Sequence, residues 1–121
     1  MKKVFILSLA LPLIFLTACS NNKDNSQNTQ AMDNFAECLT ENGVKMYGTA
    51  TCPHCAAQKA EFGSSFEKIN YIECSTNPQK CIDAGITGVP TWEFSDGTKI
   101  QGEQKLSSLG EKAWCEFPEE R

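Results

Sequence analysis

From about residue 33 onward the sequence predicts an α/β domain: one mixed four-stranded sheet flanked by helices on both faces. Three observations predict it. Short β-type runs alternate with helical segments in the order αβαβαββα. The first two runs are separated by a helix, and a crossover of that kind joins parallel strands. Asp96-Gly97 divides the last two runs, which is a hairpin signal and makes that pair antiparallel.

Each element has its own local reason. Asn34-Phe35-Ala36-Glu37 has the form of a capping box, and Gly43 stands where a helix C′ residue would. A short helix is expected between them, with Phe35, Cys38 and Leu39 on one face. Val44 to Tyr47 is a short strand, and Gly48 to Thr51 a loop. Pro53 suits the first turn of a helix, where its missing N–H costs nothing. That helix runs to about Phe62 and stops at Gly63, with a turn over Ser64 to Lys68. Ile69 to Cys74 is the second strand. Asn77-Pro78 reads as an N-cap and N1 pair opening a short helix that ends before Gly85. Thr91 to Ser95 and Thr98 to Gln101 flank Asp96-Gly97 as a type I′ hairpin. Leu106 to about Cys115 is the last helix.

The segment before the domain has a different character. Met1-Lys2-Lys3 is basic, and Val4 to Leu16 is an almost unbroken apolar run. A bilayer-spanning helix needs about 20 such residues, so this run reads as the core of a signal peptide over residues 1–18. Leu16-Thr17-Ala18-Cys19 resembles the bacterial lipobox, whose cysteine is lipidated and becomes the new N-terminus. The alternative is an ordinary signal peptide with an incidental Cys19. Each buried CH₂ of an acyl chain adds about 0.8 kcal/mol, so more than one chain on Cys19 would anchor the protein stably. Ser20 to Gln30 has no large apolar residue and reads as a flexible tether, giving an anchor-and-tether unit over residues 19–32 and a domain over 33–121. The expected location is extracytoplasmic, on a bacterial membrane facing the periplasm or the exterior. Losing residues 1–18 takes two of the eleven lysines and arginines, leaving nine against fifteen acidic residues, a net charge of −6. No basic patch is visible, which argues against nucleic acid as a partner.

With Cys19 set aside, six cysteines remain: Cys38, Cys52, Cys55, Cys74, Cys81 and Cys115. Six in an exported chain of this length suggest disulfides, but they allow 15 pairings. Cys52-Pro53-His54-Cys55 admits several readings. The four cysteines 52, 55, 74 and 81 partly match a zinc pattern, although the last gap is six residues instead of about two. A c-type haem needs histidine directly after the second cysteine, and Ala56 stands there. An inert staple across two residues removes little unfolded-state entropy.

Redox chemistry explains more of the residues. Cys52 falls just before a helix N-terminus, where unpaired N–H groups and the helix dipole favour thiolate over thiol. His54 can add a positive charge or a donor to the same sulfur, and Pro53 sets the helix start. A lone histidine more often has no special task; the position of His54 is what singles it out. Cysteines in such settings ionise with pKa values of about 3.5 to 7, against about 8.5 unperturbed. Each unit favours the reduced thiolate by about 1.4 kcal/mol, which makes the disulfide an oxidant. Cys55, one turn inside the helix, is the resolving thiol. Thiol–disulfide exchange of this kind needs no bound cofactor.

Gly88-Val89-Pro90-Thr91, opening a strand after a CxxC helix, is the pattern of the thioredoxin superfamily. The resemblance narrows further. Phe35-Ala36-Glu37-Cys38-Leu39-Thr40-Glu41-Asn42-Gly43, Met46-Tyr47-Gly48, Cys52-Pro53-His54-Cys55, Gln58-Lys59, Phe62-Gly63, Tyr71-Ile72-Glu73-Cys74 and Gly88-Val89-Pro90-Thr91-Trp92 are similar to one group. It is the thioredoxin-like domain fused to, or partnering, bacterial vitamin K epoxide reductase homologues. The resemblance implies a cis Pro90 facing the dithiol, with Val89 presenting backbone to an extended client. It implies a second disulfide, Cys74–Cys81, either structural or relaying electrons. It also implies an extracytoplasmic oxidant of protein thiols, recharged by a quinone-linked membrane oxidase. Reduction or isomerisation, and a non-catalytic zinc- or protein-binding module, are the alternatives. Two residues depart from the pattern. Ala50 and Thr51 stand where aromatic residues usually precede the first cysteine, and Met46 stands where many thioredoxins bury an acid. Cys38 and Cys115 are left: each suits a buried apolar thiol, and they could pair only if their Cα atoms come within about 7 Å, which first and last helices on opposite faces of such a fold disfavour.

Overall fold

In the computed structural model, which describes residues 23–119, the first helix, α1, spans Lys23–Glu41. The signal peptide, Cys19 and the start of the tether lie outside the described residues. The helix begins eleven residues before the capping box at Asn34, so Asn34 is a mid-helix residue and not a cap. The tether sequence is helical from Lys23. Once the turns around Phe35, Ala36 and Leu39 are nucleated by burial in the core, each further residue adds a backbone bond at little cost. Thr29 Oγ1 donates to the Asn25 carbonyl at 2.9 Å and Gln30 Nε2 to Asn34 Oδ1 at 3.0 Å, supporting the exposed end.

The remaining elements follow in the predicted order. They are β1 (Lys45–Gly48), α2 (Pro53–Phe62), a 3₁₀ turn (Gly63–Lys68), β2 (Asn70–Glu73), α3 (Pro78–Asp83), β3 (Thr91–Glu93), β4 (Lys99–Gln101) and α4 (Leu106–Ala113). The strands form one mixed sheet in the order β2-β1-β3-β4, with β1 parallel to β2 and antiparallel to β3. This is a thioredoxin-like fold.

Register explains the core. Tyr71, Met46, Trp92 and Ile100 form one row across the sheet and therefore share a face. Phe62 packs on Trp92 and Phe66 on Tyr71, which seats α2 and the 3₁₀ turn on that face. Phe35 of α1 stacks on Phe62, extending the same cluster. Tyr47 and Thr91 are buried in a neighbouring row, so the other face is covered too.

Three local expectations change. The hairpin is not a type I′ turn, because Asp96 does not have positive φ and Gly97 does (81°). Gly97 N–H bonds the Phe94 carbonyl and Phe94 N–H bonds the Thr98 carbonyl, so the loop is a type I turn closed by a glycine bulge. Asn77 precedes α3, but its side chain turns back to the Glu73 carbonyl and leaves the helix uncapped. Finally, α4 ends at Ala113, where Trp114 adopts the left-handed conformation (φ 58°).

That reversal brings together Cys38 and Cys115, a pairing that the sequence disfavoured but left open. α1 and α4 pack side by side, not on opposite faces: Asn42 Nδ2 donates to the Ala113 carbonyl at 2.7 Å. After Trp114 the chain folds back over the last turn of α4, and Cys115 N–H bonds the Gly110 carbonyl. A Cβ on Gly110 would lie 2.5 Å from the Cys115 carbonyl oxygen, so only glycine permits this approach. Cys115 thereby reaches Cys38 with Cα atoms 5.9 Å apart, and the two form a disulfide.

Candidate redox site

The site begins at the mouth of α2. Cys52 is the N-cap, in extended conformation, and Pro53 takes the first helical position. Proline has no N–H to leave orphaned and its φ suits the first turn, so the sequence places Cys52 at the positive end of the helix. Cys55 N–H donates to Cys52 Sγ at 3.2 Å. Among the described residues, Cys52 and Cys55 are the free cysteines, the first half-buried and the second fully buried.

Their surroundings separate the two thiols. The Cys55 thiol and the backbone N–H groups of Cys55 and His54 lower the Cys52 pKa, against burial and the charge of Glu103. Burial and the neighbouring Cys52 push Cys55 up to about 11, while the Thr49 N–H and the Lys59 charge oppose them. One thiol is therefore disposed to ionise and the other to keep its proton, the asymmetry that an attacking and resolving pair requires.

The loop from the other half of the chain meets this helix mouth. The Val89–Pro90 bond is cis, and Cys52 Sγ lies 3.7 Å from the Val89 carbonyl oxygen. The loop is held by Thr91 Oγ1 donating to the Gly88 carbonyl and by Gly102 N–H donating to the Pro90 carbonyl, both at 2.7 Å. Cys52, Val89 and Pro90 are thus neighbours across 37 residues of sequence. The His54 ring is exposed and pairs with Glu103, Nδ1 to Oε1 at 2.5 Å. What His54 presents to the Cys52 sulfur is its backbone N–H.

Cys74 and Cys81 form a disulfide with Cα atoms 5.8 Å apart, beside α3. The second half of the four-cysteine pattern is therefore closed on itself and not gathered with Cys52 and Cys55.

Two residues of the site escaped the sequence reading. Gln58 is wholly buried, three residues after Cys55 on the inner face of α2. Its Oε1 accepts from Trp92 Nε1 (3.1 Å) and from Gln104 N–H (2.6 Å), and its Nε2 donates to the Gln104 carbonyl (3.0 Å). It clamps α2 to the segment that carries Glu103. A polar residue on an otherwise apolar helix face was the available signal. Glu103 had none, because its role depends on meeting His54 across 49 residues.

Comparison with known proteins agrees with this geometry. The chain is similar to a thiol-disulfide oxidoreductase. LTO1 of Arabidopsis thaliana, so described, is 40% identical over 85 residues, which is 63% of this chain. The chain spans about a fifth of the length of that relative, 22%. No family model matches the chain.

Proposed function

We propose that the protein is an extracytoplasmic thiol–disulfide oxidoreductase that oxidises client thiols through Cys52 and Cys55. The observation that carries this is a cysteine at a helix mouth, beside the Val89 carbonyl, whose environment favours its thiolate. Stabilising the reduced thiolate makes the corresponding disulfide an oxidant. A client thiolate attacks Cys52, and the mixed disulfide is resolved by the second client thiol. The client leaves oxidised, and two electrons remain on the Cys52–Cys55 pair. The Val89 carbonyl, beside Cys52 Sγ on a half-buried residue, supports docking of an extended client segment by strand-like pairing, with the buried Pro90 as the wall behind it. His54, at the rim, is the residue that poises the potential, and Pro53 fixes the helix start.

The relative supports protein thiols as the substrates. The recharging partner, a membrane oxidase of the vitamin K epoxide reductase kind, follows from the sequence resemblance alone. The lipobox-like Leu16-Thr17-Ala18-Cys19 supports lipid anchoring through Cys19. The reaction requires no metal or organic cofactor on this chain.

The deciding experiment is redox equilibration of Cys52–Cys55 with glutathione, alongside exchange assays of Cys52→Ser. A potential near about −120 mV identifies an oxidant and one near about −270 mV a reductant. Exchange at the native rate in Cys52→Ser would refute the assignment.

A further inference from the structure

Cys55 is the buried partner of the dithiol, and no acid stands on β1 to manage its charge. Met46, six residues before Cys52, is apolar and fully buried. The neighbour that does approach is Tyr71. A Cβ built on Gly48 would lie 3.0 Å from the Tyr71 hydroxyl and 3.1 Å from Cys55 Sγ. The bare glycine is what allows ring and sulfur to share that space.

The Tyr71 ring is fixed from two directions. Its hydroxyl donates to Glu73 Oε2 at 2.8 Å, and Lys59 Nζ sits 3.9 Å above its centroid. The anionic partner on the hydroxyl strengthens the ring's attraction for the ammonium. Lys59 follows Cys55 by one helical turn, so the two side chains leave the same face of α2.

We propose that Lys59, held on the face of Tyr71, is a positioning residue that supplies the positive charge stabilising the Cys55 thiolate during exchange. The inference rests on the dithiol reading above. When a client thiolate attacks Cys52 Sγ, a bond forms between those sulfurs and the Cys52–Cys55 bond breaks. Cys55 departs with the electron pair and later takes a proton from water; the client sulfur is oxidised and Cys55 reduced. In the reverse step Cys55 gives its proton to water, attacks Cys52 Sγ, and the client leaves as thiolate. The same charge on Cys55 develops in both directions, so one cation serves both.

The other groups around Cys55 agree with this role. In the mixed disulfide Cys52 is no longer a thiolate that accepts from the Cys55 thiol and carries charge, so its upward push on Cys55 disappears. Burial then remains against two helpers, the Thr49 N–H and Lys59. The titratable groups facing Cys55 are Cys52 and Lys59 from α2 and Tyr71, backed by Glu73, from β2; Met46 and Gly48 of β1 do not titrate.

The test uses the full chain with Lys59→Met, which keeps the aliphatic stem, and Lys59→Arg, which keeps the charge. A mixed disulfide between Cys52 and glutathione is formed, and its resolution by Cys55 is followed by stopped flow across pH. Lys59→Met is expected to resolve about tenfold more slowly near neutral pH, with its midpoint moved up, since a tenfold loss of thiolate is one pH unit. Lys59→Arg is expected to restore the native profile, and the pH midpoint of Cys52 alkylation to stay in place in both. A native pH profile in Lys59→Met, or an equal loss in Lys59→Arg, overturns the proposal. A displaced Cys52 midpoint overturns it too, since Lys59 would then act on the wrong sulfur. If the native chain forms no mixed disulfide at Cys52, the dithiol reading falls, which is a different result from any contrast among Lys59 variants.

Discussion

Glu103 meets the ring of His54 at 2.5 Å, from a segment 49 residues further along the chain. The pair lies at the rim of the dithiol, and the Glu103 charge raises the Cys52 pKa. Glu103→Gln removes that charge while keeping the shape. The Cys52 thiolate is then expected to persist to lower pH, and the disulfide to become the stronger oxidant. The pH dependence of Cys52 alkylation and the glutathione equilibrium check both; movement in the opposite sense would contradict the electrostatic account.

The two thiols give the reduced form its own pH dependence. Cys52 has a lowered pKa in the folded state, so its contribution is absent below that folded value and grows as pH rises towards the unfolded value of 9.0. Cys55 is raised to about 11, so its contribution is present below 9.0 and is lost as pH climbs towards 11. The oxidised form carries neither titration. The stability of the reduced form relative to the oxidised one is therefore expected to rise up to about pH 9 and fall beyond it. Urea melts of both forms across this range give the comparison, and a flat difference would be the contrary result.

Gln58→Leu removes the acceptor for the Trp92 indole and for Gln104 N–H, leaving buried donors without partners. Orphaned groups of this kind cost about 1–3 kcal/mol each, so a loss of about 3 kcal/mol is expected in chemical denaturation. Because the same residue clamps the segment bearing Glu103, the alkylation midpoint of Cys52 is expected to move as well.

The two closed disulfides span different lengths of chain. Cys38–Cys115 joins residues 77 apart and Cys74–Cys81 residues 7 apart. On the chain-entropy model their removal by paired Cys→Ala changes costs about 4.5 and about 2.5 kcal/mol, respectively. Urea denaturation orders them. The potential of Cys52–Cys55 is expected to stay constant in both variants; a shift on losing Cys74–Cys81 would point to a relay in place of a staple.

What the sequence made legible was local. Pro53 after Cys52 marks a helix start whatever surrounds it, and Asp96-Gly97 marks a reversal. The order of elements and the sheet they build follow from such signals. The turn type did not, because Asp-Gly serves both a type I′ loop and a type I turn with a glycine bulge, and strand pairing chooses between them. The extent of α1 was hidden because its first turns are polar and borrow their order from residues further on. The Cys38–Cys115 link depended on a left-handed Trp114 and on the bare flank of Gly110, neither of which has a pattern in one dimension. Gln58 and Glu103 act through partners 46 and 49 residues away, a distance at which spacing carries no information.

With Cys38–Cys115 and Cys74–Cys81 already shut, the domain has a single open port for electrons within its described residues. Making those two disulfides takes four electrons from the chain itself, two for each bond. A molecule built this way is the product of the same chemistry it is proposed to perform, and its birth in a reducing compartment would leave it without the clasp that holds its first and last helices together.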